Sequence, residues 1–343
     1  MIKYLGSKRT LLPRILEVFR TLPDARTIVD VFSGTSRVGH ALKGIGRRVI
    51  ANDLNAYAAT LARCYVQADR DLVVTDAERL IGEFNALPGR PGYVTTTFCE
   101  QSRFFQPKNG ARIDAIRQAI ADKGLPPELE AVLLVSLMEA ADRVDATTGV
   151  QMAYLKQWAA RAHNNLQLRM PLVLPRAAAG KGLALQCDAV DLAGQLAAGV
   201  HGPIDAAYLD PPYNQHKYVG NYHIWETLVR WDAPEAYGTA CKRVDVRTSK
   251  SPFNSRVHAA AAMQSVIDGL PVQHLVVSFN NEGYFSREQM LAMLERRGSV
   301  QVIACDFKRY VGAQIGVYNP GGEKVGVPGH LRNVEYLFVV RVG

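Results

Sequence analysis

The sequence predicts an α/β fold interrupted by a mainly helical insertion. Three observations lead there. Short apolar runs at 27–32, 48–52, 182–186, 204–209, 275–279, 300–307 and 334–340 read as strands, several of them separated by helical spacing. Between about 70 and 170 such runs are missing, and 113–121, 128–144 and 151–163 read as helices. Acidic or small residues follow several of the strands at their carboxyl ends, the edge at which open α/β sheets bind ligands. The 343 residues are a prior for about two domains. We divide them into a discontinuous domain, 1–69 with 171–343, and an insertion, 70–170.

The opening unit is a βαβ-type one. Residues 27–32 are the strand, Ser33-Gly34-Thr35-Ser36 a loop of small residues, and 37–43 a helix with Val38 and Leu42 one turn apart. Gly44 and Gly46 end that helix. Residues 48–52 form the next strand, with Asp53 at its tip. In the middle, Leu129, Val132, Leu133, Val135, Ser136 and Met138 describe a broadly buried helix. After the short Ala177-Ala178-Ala179-Gly180 linker the α/β pattern returns. Residues 259–269 and 286–297 are its helices, the second capped by Ser286 and ended by Gly298.

Composition narrows the function classes. Hydrophobic and charged fractions of 48% and 21% are those of a globular protein with a real core. A net charge of +8 points to a polyanionic partner. No run of eighteen apolar residues predicts a membrane span, and residues 1–6 are not a signal peptide. Five scattered cysteines without a Cys-x-x-Cys pair indicate neither a disulfide framework nor a zinc site. A cytoplasmic location, bacterial-type cytoplasm or nucleoid, is the expectation.

The chemistry concentrates at three strand ends. Asp210-Pro211-Pro212-Tyr213 follows the apolar run 204–209. The prolines fix the backbone and leave carbonyls free to accept hydrogen bonds, Asp210 adds an acceptor, and Tyr213 a flat ring. This set suits a planar amine; the competing reading is a proline-rich turn. The Ser33–Ser36 loop lets a backbone approach a ligand closely, and Asp53 follows about 20 residues after it, where an acid commonly grips a ribose. Each alone reads equally as a tight turn or a surface carboxylate. Together they favour an adenosine-containing cofactor.

The ordered set of motifs resembles DNA adenine methyltransferases of the α group, the Dam methylase type, close to those of restriction–modification systems. Lys3-Tyr4-Leu5-Gly6-Ser7-Lys8 looks like the amino-terminal cofactor motif, and Asp30-Val31-Phe32-Ser33-Gly34 like the glycine loop. Asn52-Asp53-Leu54-Asn55 is similar to the ribose motif, and Asp210–Tyr213 to the catalytic one. Asn221-Tyr222-His223 and 278–283 extend the likeness. Ser36 stands where family loops often have a second glycine, and Tyr4 where Trp is common. The resemblance implies a Rossmann-like S-adenosylmethionine-dependent fold, with the insertion as target recognition domain. It implies methyl transfer to adenine N6 in double-stranded DNA after base flipping, without a metal, in a restriction–modification system with a cognate endonuclease or as an orphan methylase. Tyr4, Lys8, Asp30, Phe32, Gly34, Asp53, Asp188 and Asp210 would then bind the cofactor, and Asp210, Pro211, Pro212 and Tyr213 would form the catalytic site. The alternatives are a cytosine-N4 DNA enzyme, an RNA adenine enzyme, and a DNA-binding protein on the same fold.

Other polar residues are read more plainly. His216 and His223 are expected at the surface or on DNA. Glu139, Asp142 and Arg143 are expected on a solvated face or in local ion pairs, and Phe104, Phe105 and the methionines of 138–170 in the core. In 214–256 seven cations face four carboxylates, a net charge of +3. Two readings stand for this segment: a solvated loop, or a clamp on DNA phosphates through Lys217, Lys242, Arg243 and Arg247.

Overall fold

The computed structural model describes residues 1–212, 217–280, 283–308, 317–318, 324–326 and 332–343. Seven strands form one sheet: β1 (Thr27–Asp30), β2 (Arg48–Asn52), β3 (Leu183–Leu185), β4 (Ala206–Leu209), β5 (His274–Asn280), β6 (Gly298–Lys308) and β7 (Arg332–Val342). Their spatial order is β3-β2-β1-β4-β5-β7-β6. The first five run parallel. β7 is antiparallel to both of its neighbours. The four residues of β4 are all buried, which explains why this strand reads as a continuous apolar run.

Helices cover both faces. Leu12–Arg20 and Arg37–Gly44 pack through Ile15, Phe19, Val38 and Leu42 onto Ile28, Val49 and Val276. Ala189–Ala197, Ala259–Gly269 and Arg287–Glu295 cover the other face over Val29, Ile50, Ala207 and Val277. The last of these helices starts with a capping box, Ser286 accepting from the Gln289 backbone and Gln289 from that of Ser286. The strand order turns back between β1 and β4, so the carboxyl ends around β1 open a crevice at the switch point.

A helical lobe adjoins this sheet. Arg70–Ala86, Pro107–Asp122 and Pro127–Asp142 share one core with Tyr57, Leu61 and Tyr65 before residue 70 and with Tyr222, Trp225 and Leu228 after residue 170. Phe104, Phe105 and Met138 lie in that core, whereas Met152 is exposed.

Four expectations are corrected here. Residues 151–163 are not a helix beyond the short turn Ala160–His163. Long-range bonds take the place of the helical ladder: Gln151 N donates to Asn221 O, Gln151 Oε1 accepts from Ile224 N, and Leu155 N donates to Ala146 O. The segment 214–256 is not mainly a solvated loop, since His223–Arg230 is a helix with Ile224, Trp225 and Leu228 buried. His223 is fully buried, its Nε2 on Gln151 O at 3.0 Å, and burial pushes its pKa down to about 3. Asp142 is buried and pairs not locally but with Lys3, accepting from the Lys3 backbone at 3.1 Å. Its neighbour Glu139 likewise binds the terminal ammonium of Met1. His216 lies outside the described residues.

Among the described residues, no helix is long and apolar enough to cross a membrane.

Candidate active site

One cleft at the carboxyl ends of β1, β2 and β4 collects Tyr4, Lys8, Asp30, Phe32, Gly34, Asp53, Asp188 and Asp210. Strand-end bonds hold its floor. Asn52 donates through Nδ2 to Val31 O and Cys187 O, and its Oδ1 accepts from Cys187 N at 3.1 Å. Its own carbonyl accepts from Ser33 N at 2.8 Å. One side chain therefore ties the ends of β1 and β2 to the segment after β3. The sequence marks Asn52 as part of a motif, but nothing in the pattern reveals this clamp.

The loop after β1 turns sharply. Ser36 N donates to Ser33 O, and both Gly34 (φ +50°) and Ser36 (φ +57°) are left-handed. For Ser36 this conformation costs about 1–2 kcal/mol, which explains why a glycine is common at that position. A Cβ on Gly34 would stand 3.4 Å from the Tyr4 ring, so the loop and the amino-terminal motif are in direct contact.

The acids differ in state. Asp53 Oδ2 accepts from Gly34 N at 2.9 Å, and Oδ1 accepts from the backbone N and side-chain Nδ2 of Asn55, both at 3.0 Å. Burial raises its pKa, and those bonds oppose the rise. Asp30 is 1% exposed, and neither carboxylate oxygen has a hydrogen-bond partner among the described residues. Burial, then the charges of Asp210 and Asp53, push its pKa up to about 8. Asp188 uses Oδ1 to cap the helix Ala189–Ala197 on Val190 N at 2.8 Å.

Asp210 follows β4, and the Lys8 ammonium sits 3.0 Å from its Oδ1. The same ammonium is 2.5 Å from Oε1 of Glu335 on β7. Burial alone would lower the Lys8 pKa, but the two carboxylates outweigh it and hold it above its ordinary value. Pro211 is buried and Pro212 lines the cleft. Tyr213 lies outside the described residues.

Sequence reasoning missed part of the lining. Tyr218 and Tyr222 both stack with Tyr4, at 5.4 and 4.6 Å between centroids. The Tyr4 hydroxyl is 3.2 Å from that of Tyr57. Phe253 meets Phe32 edge-on at 5.0 Å and, with Ser249, Ser251 and Asn254, closes one side of the cleft. The signal for Tyr222 was the Asn221-Tyr222-His223 motif; Phe253 has none.

The expected phosphate-binding cations separate in space. Lys217 lines the cleft and donates to Val246 O at 3.0 Å. Lys242 is half-buried, and Arg247 is exposed, its guanidinium 4.0 Å above the Tyr237 ring. Arg243 is 1% exposed, with both terminal nitrogens 2.7 Å from Asp232 and a further pair to Asp245. Its expectation as a phosphate ligand is corrected: the charge is already neutralised inside the fold.

The fold and cleft define an α/β enzyme that works at the switch point of a largely parallel sheet. Residues 4–293 match the D12 class N6 adenine-specific DNA methyltransferases, and the chain belongs to that family. It is an enzyme that methylates adenine N6 in DNA. Over 293 residues it is 29% identical to Type II methyltransferase M.NlaIII of Neisseria lactamica, covering 83% of this chain and 84% of that one. It is 30% identical over 316 residues to Type II methyltransferase M.FokI of Planomicrobium okeanokoites, covering 87% of this chain but 47% of the relative. The chain thus spans about half of that protein's length. With Type II methyltransferase M.CviAII of Paramecium bursaria Chlorella virus 1 the identity is 26%, over 99% of this chain and 98% of the other.

Proposed function

We propose that the cleft binds S-adenosylmethionine and that Asp210 receives an adenine flipped out of double-stranded DNA. One observation carries this reading: Asp30 is a buried carboxyl with no side-chain partner among the described residues, on the wall of the same cleft as Asp53 and Asp210. A buried carboxyl left without partners is costly, so the site fits a ligand that brings positive charge. S-adenosylmethionine carries an ammonium and a sulfonium. Asp53 retains an acceptor site on Oδ2 for a ribose hydroxyl, because Oδ1 already accepts two bonds and Oδ2 one. Phe32, Gly34, Tyr4 and Asp188 would enclose the rest. When bound, the cofactor supplies an activated methyl group. The fold on this reading is the Rossmann-like methyltransferase type, in keeping with the strand order and the antiparallel β7.

The chain's own residues then act on the base. Asp210 and the Pro211 carbonyl accept the two N–H bonds of the adenine amino group, which favours a pyramidal nitrogen with a localised lone pair. The Lys8 ammonium, 3.0 Å from Oδ1, places positive charge beside the Asp210 carboxylate. Asp210 need not be a strong base, because the nitrogen loses its proton readily once methylated. Tyr213 holds the base by stacking, and flipping costs a few kcal/mol. The helical lobe of 70–170, helped by 217–256, selects the DNA site, and Lys217, Lys242 and Arg247 face the backbone. Relatives with names such as Type II methyltransferase support a role in a restriction–modification system, with a cognate endonuclease as partner. Replacing Asp210 by alanine tests the reading. Methyl transfer to a DNA substrate should vanish while the fold persists; turnover like the wild type would sink the assignment.

A further inference from the structure

We propose that Glu335, on the antiparallel strand β7, is a positioning residue that acts through Lys8 on Asp210. It rests on the reading of Asp210 as the group that faces the target base. The geometry is a row across three neighbouring strands. In the parallel pair of β4 and β5, Leu209 lies opposite Val277, which brings Asp210, one residue on, beside Ser278. In the antiparallel pair of β5 and β7, Asn280 lies opposite Glu335, two residues from Ser278. Ser278 Oγ donates to Glu335 Oε1 at 2.6 Å, and Lys8 Nζ donates to the same oxygen at 2.5 Å while standing 3.0 Å from Asp210 Oδ1. Glu335 and Lys8 are 5% and 8% exposed, so solvent does little to screen the pair.

One buried cation is therefore shared between two carboxylates. Lys8 and Ser278 thus both donate to one oxygen of Glu335. The second carboxylate has two effects. It holds Lys8 charged against the burial that would neutralise it, and it takes part of the ammonium's attraction away from Asp210. Glu335 thus weakens the hold of Lys8 on Asp210, which leaves the Asp210 carboxylate a better acceptor for an N–H bond. Among the described residues, the titratable groups close to this triad include Asp30, Tyr208 and Tyr218, where burial raises the pKa of each with the charge of Asp210 adding to the rise, and Cys305, which lies opposite Glu335 on β6. Of these, Asp30, at about 8, titrates near neutrality.

The test uses the whole chain and the isosteric change Glu335→Gln, which keeps an oxygen for Ser278 and Lys8 but removes the charge. Single-turnover methylation should slow by about tenfold, the scale of one weakened charge-assisted contact, with cofactor affinity and the unfolding temperature near wild type. The alkaline limb of the pH–rate profile should move to lower pH, because Lys8 loses one of the two carboxylates that keep it protonated. A purely structural role would lower the rate without moving that limb, and would overturn the inference. If the glutamine chain does not fold, Glu335→Asp decides. Its shorter arm should give an intermediate rate and an intermediate limb, and wild-type values for both would refute the proposal. Asp210→Ala in parallel separates the two claims. If it is inactive while Glu335→Gln has the wild-type rate and profile, only the role of Glu335 fails. If Asp210→Ala is active, the site reading itself fails.

Discussion

Asp30 in the cleft and Asp114 in the helical lobe are both buried, at 1% and 4% exposure, yet they are held in opposite ways. Asp114 accepts from Gly92 N, Val94 N, Thr95 N and the Thr95 hydroxyl, all within 2.9 Å, and so caps the helical turn Tyr93–Thr95. Asp30 accepts no well-formed hydrogen bond among the described residues, only a weak contact from the Gly39 backbone. A buried carboxylate with its acceptors filled holds a fold together. One left empty raises the cost of the folded state until something binds it. The contrast marks which half of the molecule is finished by its own chain and which half awaits a ligand.

The largest effect should come from Asp114→Ala. Three backbone N–H groups and a hydroxyl lose their acceptor at once, so unfolding in denaturant should show a loss of at least about 3 kcal/mol. A loss under about 1 kcal/mol would break the comparison from the lobe side.

Asp30→Asn attacks it from the other side. Native Asp30 keeps its proton up to about pH 8, whereas the unfolded chain releases it near 3.8. Between those values the folded state binds the extra proton, so this group's contribution to stability falls as pH rises. The asparagine variant should therefore match wild type in acid and exceed it at pH 8 in thermal melts, while S-adenosylmethionine affinity falls. Equal pH dependence in the two proteins would mean that Asp30 is satisfied by some other means.

Asp53→Ala sharpens the cofactor assignment. Losing a charge-assisted bond to the ribose, worth roughly 1.5–3 kcal/mol, should weaken S-adenosylmethionine binding in calorimetry more than DNA binding. The reverse order would remove Asp53 from the ribose site.

Within 217–256 the same contrast recurs among cations. Arg247→Ala should reduce the slope of log DNA affinity against log salt by roughly 0.9 and leave stability nearly unchanged. Arg243→Ala should instead lower stability, since it removes a buried cation from Asp232 and Asp245 and leaves them only the half-exposed Arg230. The smallest effect is expected at Ser36: glycine there should relieve left-handed strain and raise stability by about 1 kcal/mol or less, measurable as a small shift in melting temperature.

The parts of this protein legible in the sequence are those governed by local rules. Alternating apolar runs marked the strands, Ser286 marked a helix start, and the residue types of Asp210–Pro212 and Asp53 marked strand tips, because burial and backbone conformation impose those choices within a few positions. Charge did not carry the same information. Arg243 and Arg247 look alike in sequence, and His223 looks as polar as any surface histidine; which is buried depends on partners such as Asp232 and Gln151 that no local pattern announces. Residues 151–163 have helical composition, but bonds to Asn221 and Ile224 hold them otherwise. The meeting of Lys8 with Glu335, 327 positions away, follows from β7 lying between β5 and β6. Only the tertiary structure sets such pairs, because the energy of a buried charge depends on what surrounds it in space.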